Sequence, residues 1–167
     1  VLYNKKCHKK MYPASITKIM TALLTIENSS LDDTVTFSQS AVQCLIEDSE
    51  AANIGAVADE QLSVKDCLYA LMLKSANEVA SALAEHVSGD IDSFANLMTE
   101  RAKQAGATDT HFTNANGLFD ENHYVTAYDM AKIMQAALQY PVFREIINSD
   151  SYTIPADNKR KETLPIS

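Results

Sequence analysis

Two short spacings in this chain bring together residue types that perform acyl transfer. In Tyr12-Pro-Ala-Ser-Ile-Thr-Lys18 a serine and a lysine stand three residues apart. A serine hydroxyl is a poor nucleophile until a base takes its proton, and a lysine serves as that base when its surroundings keep it neutral. At this spacing Ser15 and Lys18 share one helical face. Ser15 falls in the first turn, where unpaired N–H groups and the positive end of the dipole favour a developing anion. Some sixty residues on, Ser75-Ala-Asn77 adds a second hydroxyl and a carboxamide. Each set has an ordinary structural use: Ser15 as a cap, Lys18 as a solvated charge, Ser75 and Asn77 as capping side chains in an interhelix turn.

The elements that would hold these residues are helices. Pro13 biases Tyr12 away from helical geometry, and Ile19, Ala22, Leu23 and Ile26 then recur at helical spacing for about three turns. Asn28–Asp33 reads as a turn, Thr34–Phe37 as a short strand, and Ser38 as the cap of a brief helix through Ile46. The acidic run Glu47–Glu60 reads as a solvated surface loop with no apolar pocket to raise a carboxyl pKa. Ser63 and Asp66 form a capping box ahead of a buried helix bearing Val64, Leu68, Leu71 and Met72. Lys74–Asn77 interrupts the pattern before a helix from about Glu78 to His86, ended near Gly89. Asp92 is read as the cap of the next helix, which stops at Gly106. Ala107–Tyr124 is irregular around Thr113-Asn-Ala-Asn-Gly117. An amphipathic helix opens at Thr126, Pro141 begins a short helix through Ile147, and Tyr152-Thr-Ile154 reads as a strand cut off by Pro155.

Composition narrows the function. At 167 residues, 46% hydrophobic and with four Gly and four Pro, the chain suits one folded, helix-rich domain. A net charge of -8 argues against a nucleic-acid partner, and the small basic clusters Lys5-Lys6, Lys9-Lys10 and Lys159–Lys161 read as solvated surface. His8, His86, His111 and His123 have no metal spacing, so no metal or cofactor is expected, and His111 and His123 read as structural. Cys7, Cys44 and Cys67 are an odd set; Cys67, on a helical face, reads as a small buried hydrophobe, and a Cys44–Cys67 disulfide has no supporting pattern. No apolar run is long enough to span a membrane. The chain opens in strand-like Val1-Leu-Tyr3 and closes in Leu164–Ser167 with no terminating element, which suggests a cut at both ends.

Ser-x-x-Lys followed by Ser-x-Asn is a known order, completed elsewhere by Lys-Thr-Gly on a later strand. The segment Tyr12–Thr21 is similar to the active-site segment of the serine-type D-alanyl-D-alanine carboxypeptidases, the low-molecular-mass penicillin-binding proteins. Leu62–Asp66 leading to Ser75–Asn77, Phe94–Met98, Ala105-Gly106, Thr110–Asn114, Gly117-Leu118 and His123–Asp129 resemble the same family in the same order.

The resemblance implies an α/β fold of β-lactamase/transpeptidase type, truncated, mainly helical here with short strands near its ends. It implies a single partial catalytic domain over 1–167. Ser15 would attack the carbonyl of the penultimate D-alanine of a peptidoglycan stem peptide, and Lys18, held neutral, would take the hydroxyl proton. Ser75 would relay a proton to the leaving amine, and Asn77 would position Lys18 and the substrate amide. The Ser15 N–H would give half of an oxyanion hole. β-Lactams would acylate Ser15 as mimics of D-alanyl-D-alanine. The full protein would be exported, with a membrane anchor lying outside this segment. Two departures stand out. No Lys-Thr-Gly occurs in the chain, so the segment alone should turn over little substrate, and Glu78 and Ile16 replace the family's usual Asp and Thr. The rivals are a class A β-lactamase, whose usual Asp inside Ser-x-Asn is Ala76 here, a D,D-endopeptidase, and a catalytically silent peptidoglycan-binding module.

Overall fold

The structure is a computed structural model that describes residues 4–43 and 51–167. It is organised around α1 (Lys18–Asn28). Met20, Ala22, Leu23 and Leu24 of this helix are essentially inaccessible, and so are its polar Thr21 and Thr25. A helix buried on all sides belongs at the centre of a core, and its polar groups must be satisfied internally. Thr25 Oγ1 donates to the Thr21 carbonyl at 2.8 Å, and Thr21 Oγ1 donates to the Ala115 carbonyl at 2.6 Å.

Around α1 pack α2 (Val64–Leu73), α3 (Asn77–Ser88), α4 (Ile91–Gln104), α5 (Ala127–Ala137) and α6 (Pro141–Ile147). The far end of α1 is clamped: Arg101 of α4 gives Glu27 a bidentate pair at 2.8 Å, and the Tyr140 hydroxyl donates to the same carboxylate at 2.8 Å. The Ser15 segment thus enters a helix fixed along its length and at its exit.

Among the described residues four short strands form two antiparallel pairs. β1 (Thr34–Thr36) pairs with β2 (Gln61–Ser63), Val35 opposite Leu62, both inward. β3 (Tyr152–Ile154) pairs with β4 (Leu164–Ile166), Ile154 opposite Leu164. Tyr152 stacks on Tyr69 of α2 with ring centroids 3.8 Å apart, and its hydroxyl donates to Asp66 at 2.8 Å.

Several local expectations need correction. α4 is capped by Asp90, which accepts from the Ser93 N–H at 2.7 Å; Asp92 sits inside the first turn. The reason is Gly89, whose φ of +85° ends α3 and leaves Asp90 extended at once. β2 reads in sequence as the lead-in to the Ser63 cap. Leu164–Ile166 is itself a strand, the partner of β3. Of the acidic run, Glu47–Glu50 lie outside the described residues, and 51–60 are not simply a solvated loop. Glu60 is 1% exposed, burial raises its carboxyl pKa, and Arg160 lies 3.2 Å away. Ser38–Gln43 turns under the Ser38 hydroxyl, which accepts from the Ala41 N–H at 2.9 Å; Val1–Tyr3, Cys44 and the rest of the expected helix to Ile46 lie outside the described residues. Cys67 is a buried free thiol whose pKa burial pushes up, in keeping with a small core hydrophobe.

Candidate active site

Ser15 lies on a 3-10 turn, Ala14–Thr17, which runs straight into α1. The sequence placed it in the first turn of the α-helix itself. The tighter turn follows Ala14, held at φ +51°, a strained setting for a residue with a side chain. Ser15 faces solvent, whereas Thr17 and Lys18 point inward and are 0% and 2% exposed. The two predicted chemical residues therefore meet at the boundary between cleft and core. Lys18 Nζ is 3.4 Å from Ser15 Oγ, and it donates to Asn77 Oδ1 and to the Asn116 carbonyl, each at 2.7 Å.

Asn77 is the first residue of α3 and is buried; its own N–H donates to the Ala52 carbonyl at 2.8 Å. The structure so joins two turns 59 residues apart in sequence at one amine. Ser75, two residues earlier, adopts φ +54°. Its hydroxyl is shielded from solvent and makes no hydrogen bond among the described residues. Glu78 follows in the first turn of α3, fully buried. Its Oε1 accepts from the Ile54 N–H at 2.8 Å and from that of Ala56 at 3.4 Å, and burial raises its pKa. That carboxyl ties the segment ahead of β2 to the turn carrying Asn77.

The loop Thr113–Leu118 is part of the site, and the sequence reading gave it no role. Its backbone supplies the Asn116 carbonyl to Lys18 and the Ala115 carbonyl to Thr21. The loop is folded on itself by Asn side chains: Asn114 Oδ1 accepts from the Gly117 N–H at 2.7 Å and Asn116 Oδ1 from the Leu118 N–H at 3.0 Å. The available signal was the Asn-x-Asn-Gly composition, which announces turn chemistry. His123 locks the loop to the 3-10 turn that carries Ser15. It is 1% exposed, its Nδ1 accepts from the Thr113 N–H at 3.1 Å, and its Nε2 lies 2.8 Å from Thr17 Oγ1. A backbone N–H can only donate, so the ring proton belongs on Nε2 and is given to Thr17. Burial holds the His123 pKa down at about 4. His111 is elsewhere in function: its Nδ1 meets the Asn122 carbonyl at 2.7 Å, and its backbone pairs with Tyr124.

A cavity of about 340 Å³ opens over Ser15, walled by Tyr12, Asn77, Asn116, Leu118 and Phe119. Among the described residues no three His, Cys, Asp or Glu side chains gather as a metal ion would require. The parts present are a solvent-facing hydroxyl, a buried amine against it, and a carboxamide that orients the amine.

The fold is that of the DD-peptidases. The crystal structure of the Streptomyces K15 DD-transpeptidase matches at a TM-score of 0.89 and 27% identity, over 98% of this chain and 66% of that one. The D-alanyl-D-alanine carboxypeptidase of Mycobacterium tuberculosis matches at 0.86 and 29%, over 97% and 59%. The chain belongs to the D-alanyl-D-alanine carboxypeptidase family, whose family model matches residues 1–162. It is similar to D-alanyl-D-alanine carboxypeptidase DacF of Bacillus subtilis, 36% identical over 145 residues. That match covers 84% of this chain but 36% of the relative, so the chain spans about a third of that protein's length.

Proposed function

We propose that this chain is the nucleophile-bearing part of a serine D-alanyl-D-alanine carboxypeptidase acting on peptidoglycan stem peptides. One observation carries the reading: Lys18 Nζ lies between Ser15 Oγ and Asn77 Oδ1 in a buried pocket. With two N–H bonds directed at the carbonyls of Asn77 and Asn116, a neutral amine presents its lone pair toward Ser15. Ser15 attacks the penultimate D-alanine carbonyl as its proton passes to Lys18. The tetrahedral oxyanion is met by the Ser15 N–H. Collapse breaks the peptide bond, and Ser75 passes a proton to the departing D-alanine amine. Water then hydrolyses the acyl-enzyme.

β-Lactams acylate the same serine because their strained amide stands where the D-alanyl-D-alanine bond would. Lys-Thr-Gly does not occur in these 167 residues; in the complete enzyme a strand bearing it would bind the substrate carboxylate and complete the oxyanion hole. The substrate places the complete protein outside the cytoplasm.

The test is release of D-alanine from a stem pentapeptide by the full-length protein. The unaltered protein releases it and Ser15→Ala does not. Release that survives Ser15→Ala, or that never occurs, overturns the reading.

A further inference from the structure

The cleft over Ser15 has a neighbour. Tyr12, which walls that cleft, also walls a larger cavity of about 490 Å³ lined by Lys9, Lys10, Met11, Glu121 and Tyr124. Tyr12 meets Phe119, which lines the cleft over Ser15, edge to face at 4.9 Å, and both are well exposed, as is Met11. The backbone of the second cavity is fixed. Met11 and Val125 exchange both backbone hydrogen bonds at 2.8 and 2.9 Å, and Tyr124 pairs likewise with His111. Lys10 Nζ lies 3.9 Å from the centroid of the Tyr124 ring, which holds the cation in the wall.

The charge here runs against the rest of the molecule. The chain carries -8, yet its first twelve residues contain Lys5, Lys6, Lys9 and Lys10 and no acid. Glu121 is the acid in the cavity wall and offsets one of the two lysines there. Lys9 and Lys10 are exposed, as sequence alone has them, and they also line a cavity that shares its Tyr12 wall with the cleft over Ser15. Aromatic and thioether surface beside paired cations suits an extended chain with an apolar stem and an anionic group.

We propose that this cavity is a subsite for the acyl-side arm of the peptide substrate, and that Lys9 and Lys10 select an arm bearing a carboxylate. The inference rests on the reading of Ser15 as the nucleophile. It adds what that reading leaves open, a preference among substrates set outside the catalytic groups. The arm leaves the scissile carbonyl at Ser15, crosses the Tyr12–Phe119 pair and sets its carboxylate against the two ammonium groups.

The experiment uses the full-length protein and three peptides ending in D-alanyl-D-alanine, alike except that the acyl-side arm carries a carboxylate, a carboxamide or an ammonium group. The carboxylate peptide is expected to show a kcat/KM about tenfold above the carboxamide, carried by KM and weakened by salt. In the double variant Lys9→Glu with Lys10→Glu, checked for an unchanged unfolding midpoint, the order reverses and the ammonium arm is preferred. The same ranking of the three peptides in both proteins overturns the subsite while leaving the nucleophile in place. Failure of the unaltered protein to be acylated by a penicillin removes the nucleophile reading and the subsite with it.

Discussion

Gly117 and Ala14 are in contact through backbone alone: a Cβ on Gly117 would stand 2.0 Å from the Ala14 carbonyl oxygen and 3.0 Å from Thr17 Oγ1. Gly117 also sits at φ +89°, where a side chain is strained. The loop therefore presses on the residue just before Ser15, and the missing side chain is what permits it. Gly117→Ala should push the loop off the 3-10 turn and move the Asn116 carbonyl from Lys18. The expected result is a loss of about 2 kcal/mol or more in stability and at least about tenfold in acylation rate. Denaturant unfolding and stopped-flow acylation by a penicillin measure the two. A Gly117→Ala protein with unaltered acylation would show that the contact does not position the nucleophile.

Lys18→Met keeps most of the length of the side chain and removes the amine. It leaves the Asn77 and Asn116 carbonyls facing an apolar group, at about 1–3 kcal/mol. If the amine is the base for Ser15, acylation falls by roughly a hundred- to ten-thousandfold while circular dichroism still reports a folded protein. Acylation within tenfold of the unaltered rate would require another base.

His123 makes stability depend on acid. Its pKa is near 4 in the folded protein against an ordinary 6.5, because burial outweighs the opposing Asp120 charge, with His111 adding to the depression. Between those values the unfolded chain binds more protons than the native one, so stability is complete above about pH 6.5 and is lost as pH falls toward 4, by up to about 3 kcal/mol. The molecular event is a clash of donors, since a protonated Nδ1 would face the Thr113 N–H. Chemical denaturation across pH 4–8 should show this slope in the unaltered protein and a shallower one in His123→Gln. Equal slopes would place the acid sensitivity in other groups.

Glu78 works in the opposite sense. Burial raises its folded pKa above the ordinary 4.5, so the native state binds the extra proton and stability declines as pH rises through that interval. Glu78→Gln keeps an oxygen to accept from Ile54 and removes the titration. The variant should be at least as stable as the unaltered protein at pH 8, with a flatter profile, whereas Glu78→Ala should lose about 1–3 kcal/mol by orphaning the Ile54 N–H. A Gln variant clearly weaker at pH 8 would mean that the charge itself is favourable.

The helices were readable because periodicity, caps and stops agree along the chain: Ser63 and Thr126 accept from the N–H groups expected of a cap, and Gly89 and Gly106 take positive φ. Ser15, Lys18 and Asn77 stood out through residue type and the order of two motifs that the family resemblance joins; that they meet at one amine is a finding of the structure. The strands β2 and β4 were not, since Gln61–Ser63 runs straight into the Ser63 cap and Leu164–Ile166 carries a proline, while the partners that pair with them lie 25 and 10 residues or more away. The contribution of the loop Thr113–Leu118 was hidden for a different reason. It acts through backbone carbonyls and an absent side chain, and neither is written in residue type. Buried Glu60 was missed because its partner Arg160 is a hundred residues away.

The most direct measurement is the location of a covalent adduct. Full-length protein treated with benzylpenicillin, digested with trypsin and analysed by mass spectrometry should carry the penicilloyl mass on the peptide from Met11 to Lys18, and Ser15→Ala should carry none. An adduct on any other peptide, or one that persists without the Ser15 hydroxyl, would contradict the assignment of the nucleophile.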